Sequence, residues 1–328
     1  MSVIDCRGLM DFVKQRNLYL HAGFVVLALI VAYDFTFIRF SLSQQYIRST
    51  LTDLVSGKAT TPFQYRVLIP WLVKALYETL AHFRFTASTG QLFWFMEFIA
   101  AFFLLAAYQA YLSLFFKDQL TRAILPFTIV LILPFNFLLS RTGVYYYPWD
   151  TPSLLFFTLG LVFLYKKNWT LYYPLFVIGL FNRETIAFLT FIYLFAALGK
   201  NRLKTTAFHC SLQLLIWISI KLFLYRLYIH NPGTGFFQHH FSSNLSYLTN
   251  PANYPILFSC MGFIWIPAIL GYRLVKDDFA RRSILVFIPF SLTLLFAAKI
   301  GELRHWAELI PVILTAFLLV IKELVKRE

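Results

Sequence analysis

The sequence predicts an all-α fold, a polytopic transmembrane bundle of about eight full spans with a re-entrant helix pair and an outer interfacial amphipathic helix. Three observations predict it. Of 328 residues, 59% are hydrophobic and only 13% charged, where soluble domains carry about a quarter charged residues. Several apolar runs reach the roughly 18 residues that suggest a membrane crossing. Lys and Arg gather in short clusters between those runs, as topology signals do. No Gly/Ser-rich linker interrupts the chain, so residues 1–328 read as a single integral membrane domain.

The formal net charge of +14 would also suit nucleic acid, but the dispersal of the basic clusters between apolar runs speaks against it. Cys6, Cys210 and Cys260 have no metal or redox spacing and read as small buried hydrophobes. The stretch after Arg16 lacks a small-x-small cleavage site, so it reads as a retained first helix rather than a signal peptide.

The elements follow from placing six basic clusters on the cytoplasmic side: Arg7/Lys14/Arg16, Lys117/Arg122, Lys166/Lys167, Lys200/Arg202/Lys204, Arg273/Lys276/Arg281/Arg282 and Lys322/Lys326/Arg327. An even number of crossings must then separate each pair. The first span, about 18–33, goes out and leads into a first extracytoplasmic loop, 34–90. Within that loop, residues 64–83 place Arg66, Lys74, Glu78 and His82 on one face. Such a stripe fits an interfacial helix, the alternative being a span that lines a polar interior. Spans at about 91–116, 123–140 and 151–165 follow. Residues 169–199 lie between two cytoplasmic clusters and so form two short helices, in and back, meeting near Asn182. Spans at about 205–229, 254–272, 283–298 and 306–321 complete the chain.

This topology gathers the chemically interesting groups on the outer side. Asp34 follows the first span, and a carboxylate at a membrane boundary is either a poised base or an ordinary helix-ending acid. In "RTGVYYYPWDTPSLLFF", Arg141 precedes Tyr146, Tyr147 and Trp149, aromatic faces of the kind sugars stack on and interfaces also favour. Asp150 is a second candidate acid, or the N-cap of the next helix. In "FNRET", Asn182, Arg183 and Glu184 sit deep in an apolar run. Arg183 suits a phosphate, with Glu184 as its partner or a further acid, and a mutual Arg–Glu pair is the bland alternative.

The stretch "AAKIGELRHWAELIP" supplies Glu302, Arg304 and His305, a cluster able to grip a lipid phosphate on the side where positive charge is otherwise disfavoured. Arg304 and Glu308 are spaced for an i,i+4 pair. Arg66 and Arg141 raise the same question of cations on the outer face. His230, His239 and His240 lack zinc-site spacing, so no dedicated zinc site is expected of them. No Walker A loop, GxGxxG turn or nucleophile elbow occurs.

With a first span, an outer loop bearing Asp34, an amphipathic segment and a multi-span bundle, the chain resembles the GT-C superfamily of integral membrane glycosyltransferases. The stretches "YRVLIPWL", "YPWDTPSLLFF", "FNRET" and "GELRHWAELIP" are similar to small bacterial polytopic proteins near that superfamily. The resemblance implies a bacterial inner-membrane enzyme acting on the periplasmic or extracellular face, with a polyprenyl-phosphate sugar as donor and a glycan, lipid or protein hydroxyl as acceptor. It implies a catalytic acid in the first outer loop, where Asp34 is the closer match and Asp53 the other. The doubled acid frequent in that family is missing, as is a large soluble C-terminal domain. The resemblance admits a divalent metal and implies no other cofactor. The competing readings are a transporter or flippase of a lipid-linked sugar, and a non-enzymatic membrane assembly protein.

Overall fold

A computed structural model of the protein describes residues 6–139, 143–200, 202–233, 235 and 238–326, with side chains from residue 18 onward. Among these residues there is no strand, only isolated bridges joining Gln44 to Tyr145 and Thr61 to Gly233. The helices are α1 (Cys6–Leu42), α2 (Leu51–Ser56), α3 (Leu68–His82), α4 (Thr89–Leu112), α5 (Gln119–Ile124), α6 (Thr128–Phe137), α7 (Asp150–Tyr165) and α8 (Trp169–Asn182). They continue as α9 (Leu189–Ala197), α10 (Leu203–Leu227), α11 (Phe241–Thr249), α12 (Tyr254–Phe258), α13 (Trp265–Leu270), α14 (Asp278–Ser283), α15 (Phe287–Ala297) and α16 (Ile310–Val325).

Five helical stretches are long and apolar enough to cross a membrane: Leu18–Leu42, Thr89–Leu112, Gln119–Phe137, Leu203–Leu227 and Asp278–Ala297. Two shorter apolar helices cover Asp150–Tyr165 and Glu184–Ala197. Helix α4 is the central post, packed on α1 and α7, and α7 packs in turn on α8. A capping box between Ser88 and Gln91 starts α4, so its entry is fixed by reciprocal hydrogen bonds. Lipid tails are as apolar as leucine, so close van der Waals fit and interhelical polar bonds hold such helices together. Gly160 of α7 illustrates the fit: a Cβ there would lie 2.3 Å from a methyl of Leu189.

Two segments depart from the sequence expectation. The first helix does not end at residue 33 but runs to Leu42, because 34–42 contains no Gly or Pro. Ala28, Ala32, Phe35 and Arg39 extend one buried face at helical spacing, and Asp34 falls outside it. The expected span 254–272 is broken, with Met261, Gly262 and Phe263 at φ of 52°, 59° and 64°. Asn136 of α6 secures that break, accepting from Met261 N at 3.1 Å and donating to Leu303 O at 2.8 Å.

At "FNRET" the helix stops. Arg183 is extended (φ −162°, ψ 136°), and a 3-10 turn, Glu184–Phe188, leads into α9. The chain then folds back, since the ring of Trp169 at the start of α8 meets Tyr193 late in α9 at 5.2 Å. Helix α3 leaves Lys74, Glu78 and His82 exposed, as a polar stripe requires, but Arg66 precedes the helix and turns inward.

Candidate functional site

Five parts of the chain deliver charges to one buried cluster. Arg39 comes from the inner face of α1 and Glu97 from α4, Asp150 opens α7, Arg183 sits at the helix break, and the turn 299–308 carries Glu302, Arg304, His305 and Glu308. Asp150 is the hub. It is wholly buried and makes no cap hydrogen bond, because its carboxylate is taken by arginines. Arg39 meets Oδ2 at 3.1 Å, Arg183 meets Oδ1 at 3.2 Å, and Arg304 stands 3.7 Å from Oδ1. Arg39 also pairs with Glu97, whose carboxylate accepts from Thr151 at 2.6 Å.

Arg183 and Glu184 do not pair with each other. Arg183 binds Glu308 at 2.8 Å and donates to His305 Nδ1 at 2.9 Å, while Glu184 faces Arg66 at 3.4 Å. The extended backbone at Arg183 sends these adjacent side chains to different neighbours. The i,i+4 pair of Arg304 and Glu308 is likewise absent. Residues 303–309 form a 3-10 helix, in which residues three apart eclipse and residues four apart do not. Arg304 instead meets Glu302 at 2.9 Å and lies 3.7 Å over the Tyr147 ring.

The cluster floors a cavity of about 1010 Å³. Its wall carries six basic side chains (Arg48, Arg66, Arg183, Lys221, Lys299 and Arg304) against two carboxylates, Glu184 and Glu302. From Lys221 the cavity runs along α10 to Cys210, roughly 16 Å at 1.5 Å per residue. Below the charged end the wall is apolar, with Phe188, Phe191 and Leu194 on one side and Leu294 and Ala297 on another.

Arg66 reaches the cavity on a strapped loop. Thr61 N donates to Pro232 O at 2.8 Å, Asn231 Nδ2 donates to Gly57 O and Ala59 O at 2.8 and 2.9 Å, and Val67 N donates to Phe181 O at 2.9 Å. Its guanidinium stacks 4.7 Å over Trp149. Nε and Nη1 of Arg66 are buried without a hydrogen-bond partner, as are Nη1 of Arg304 and Nε of Arg183. Burial holds Arg66 below its ordinary pKa; Glu184 offsets part of this, and repulsion from Arg183 and Arg304 adds to it.

Burial works to raise Glu302, but Arg304 and His305 outweigh it and hold the carboxylate well below its usual range. Burial first, then Arg304, pushes His305 down to about 4. The imidazole is therefore neutral near pH 7, with Nδ1 accepting from Arg183 and Nε2 facing Glu302 at 3.3 Å. The unpartnered Nε and Nη1 of Arg66, Nη1 of Arg304 and Nε of Arg183 are N–H donors lacking acceptors, a set that fits an anion. Among the described residues no group of three or more His, Cys, Asp or Glu comes together at metal-holding distance.

The sequence candidates thus divide. Arg66, Tyr147, Arg183, Glu184, Glu302, Arg304 and His305 line the cavity. Asp150, Tyr146, Trp149 and Asn182 lie behind it in the packed core. Asn182 ties α8 to α7 by donating to Trp149 O at 2.9 Å and Ser153 Oγ at 2.8 Å. Asp34 is not brought to the cluster: it lies within α1, exposed, about 140° round the helix from Arg39. Asp53 lies in the first turn of α2, its N–H donating to the N-cap Thr50 and its carboxylate accepting from the Thr50 hydroxyl, and Arg141 lies outside the described residues. Arg39, Glu97 and Lys221 escaped the sequence reading, although the first two are isolated charges in long apolar helices, a signal of its own. Comparison with protein-family models, with curated proteins and with solved structures finds no match for this chain.

Proposed function

We propose that the protein is a glycosyltransferase that takes a sugar from a polyprenyl-phosphate donor and passes it to an acceptor hydroxyl on the extracytoplasmic side. The observation that carries this reading is the cavity's polarity: unpartnered arginine N–H donors at one end and an apolar arm below. A phosphate needs the first and a prenyl chain the second. In the topology that goes with it, the chain crosses about eight times and α8 and α9 form a re-entrant pair with Arg183 at its apex. Helix α3 then rests at the outer interface of a bacterial inner membrane.

The chemistry follows from the lining residues. The donor phosphate draws Arg66 and Arg304 onto its oxygens through charge-assisted hydrogen bonds, strong in a low-dielectric site. Arg66 thereby gives up its 3.4 Å contact with Glu184. The freed carboxylate accepts the proton of the acceptor hydroxyl, whose oxygen forms the new bond to the anomeric carbon as the carbon–phosphate oxygen bond breaks. Polyprenyl phosphate leaves with the electron pair, its charge held by the arginines. Asp150 is a positioning residue, fixing Arg183 and Arg304. Native mass spectrometry of the protein with added polyprenyl phosphate tests the reading: a bound adduct is expected, and failure to retain it would count against the site.

A further inference from the structure

Beneath its charged end, the α10 wall of the cavity is not purely apolar. Lys221, Trp217 and Gln213 follow one another at intervals of four residues, on one face, in steps of roughly 6 Å. All three line the cavity. Gln213 is wholly buried, and Tyr172 OH donates to its Oε1 at 2.9 Å, which fixes Nε2 as the remaining donor. That Nε2 makes no hydrogen bond of normal geometry; the Tyr173 hydroxyl stands near it and is bonded to His209 Nδ1 at 2.6 Å. Nε1 of Trp217 is also buried and unpartnered.

Buried donors left unmade are costly, so this wall calls for hydrogen-bond acceptors at two depths beneath a cation. A prenyl chain cannot supply them, being hydrocarbon below its phosphate. A glycerophospholipid supplies them in the right order: a phosphate, then ester carbonyls, then acyl chains. At the upper end, Lys221 and Glu184 also line one small recess, beside Tyr65 and Trp217.

We propose that the α10 wall is the acceptor subsite and that the acceptor is an ester-linked glycerophospholipid. Its phosphate sits at Lys221, and its ester carbonyls accept from Trp217 Nε1 and Gln213 Nε2. A hydroxyl of the headgroup then lies towards Glu184, while the donor's prenyl chain follows α9 and α15. The assignment as acceptor rests on the glycosyl-transfer reading; the ester subsite does not.

The test uses the full-length protein in detergent and two probes with matched chains, a diacyl phosphatidylglycerol and its dialkyl ether analogue, which lacks the carbonyls. The diacyl lipid is expected to bind about 25-fold more tightly, about fivefold for each neutral hydrogen bond. Trp217→Phe and Gln213→Leu should each remove about fivefold from the diacyl lipid and leave ether-lipid affinity unchanged, which also reports that the variants are folded. Equal binding of the two lipids by the unaltered protein would overturn the subsite, as would an ester preference that survives both substitutions. An ester preference in a protein that transfers no sugar to that lipid upholds the subsite and overturns its role as acceptor.

Discussion

Replacing Arg66 with Gln is expected to weaken binding of a short-chain polyprenyl phosphate about 100-fold. Nε of Arg66 is buried with no partner, and once Nη2 gives up its 3.4 Å contact with Glu184 the two form a fork on one phosphate. Hydrogen bonds to a charged group contribute about 1.5–3 kcal/mol each, so at the low end the fork contributes about 3 kcal/mol. At 1.4 kcal/mol per tenfold that is about two decades in Kd. Arg66→Lys keeps the charge but offers a point donor in place of the fork, and should lose about tenfold. Isothermal titration calorimetry in detergent reads both, with thermal unfolding as the control for folding. Because Arg66 also faces Glu184, Glu184→Gln serves as a second control and should bind the phosphate at least as well. An Arg66→Gln protein that folds normally and binds within threefold of the unaltered one would refute the argument.

Asp150→Asn should lower Tm sharply, because it leaves Arg39 and Arg183 buried without their shared carboxylate; breaking a buried pair costs about 3–5 kcal/mol. Gly233→Ala should loosen the strap that carries Arg66, since φ is +133° there and a Cβ would lie 2.2 Å from Thr61 O. A lower Tm together with weaker phosphate binding is expected, and a smaller effect from Gly235→Ala, where a Cβ meets nothing within 4 Å. His305 titrates at about 4 in the folded protein, below the ordinary histidine value. Between that pH and about 6.5 the unfolded chain binds the proton and the folded one does not, so stability is full above about 6.5 and falls as pH drops towards 4. His305→Gln should flatten that part of a Tm-against-pH curve.

How legible this was in the sequence depends on which physical signal each residue carried. The break at Asn182–Thr185 was readable because four polar residues interrupt an apolar run, and backbone at that depth needs a reason. Arg183's partners were not, since Asp150 and Glu308 lie 33 and 125 residues away in sequence and meet it only through packing. Asp34 and Arg39 share the first helix, and position at the presumed membrane boundary favoured the wrong one for the cluster. The small residues Ala28 and Ala32 mark the packed face, and Arg39 continues it where Asp34 does not. The 3-10 turn at 303–309 was hidden too, because "LRHWAEL" carries no Gly or Pro to announce it. That one change of helical period redirected Arg304 and Glu308 to different partners.

The most direct measurement follows a polyprenyl-phosphate sugar, labelled in the sugar, in proteoliposomes that contain phospholipid. Glycosyl transfer predicts that label appears in a new lipid while polyprenyl phosphate is released in equal amount. Glu184→Gln should slow this about 10²–10⁴-fold with donor binding kept, and Asp34→Asn should leave it intact. Donor that crosses the bilayer with its glycosidic bond unbroken, at a rate indifferent to Glu184→Gln, would contradict the account.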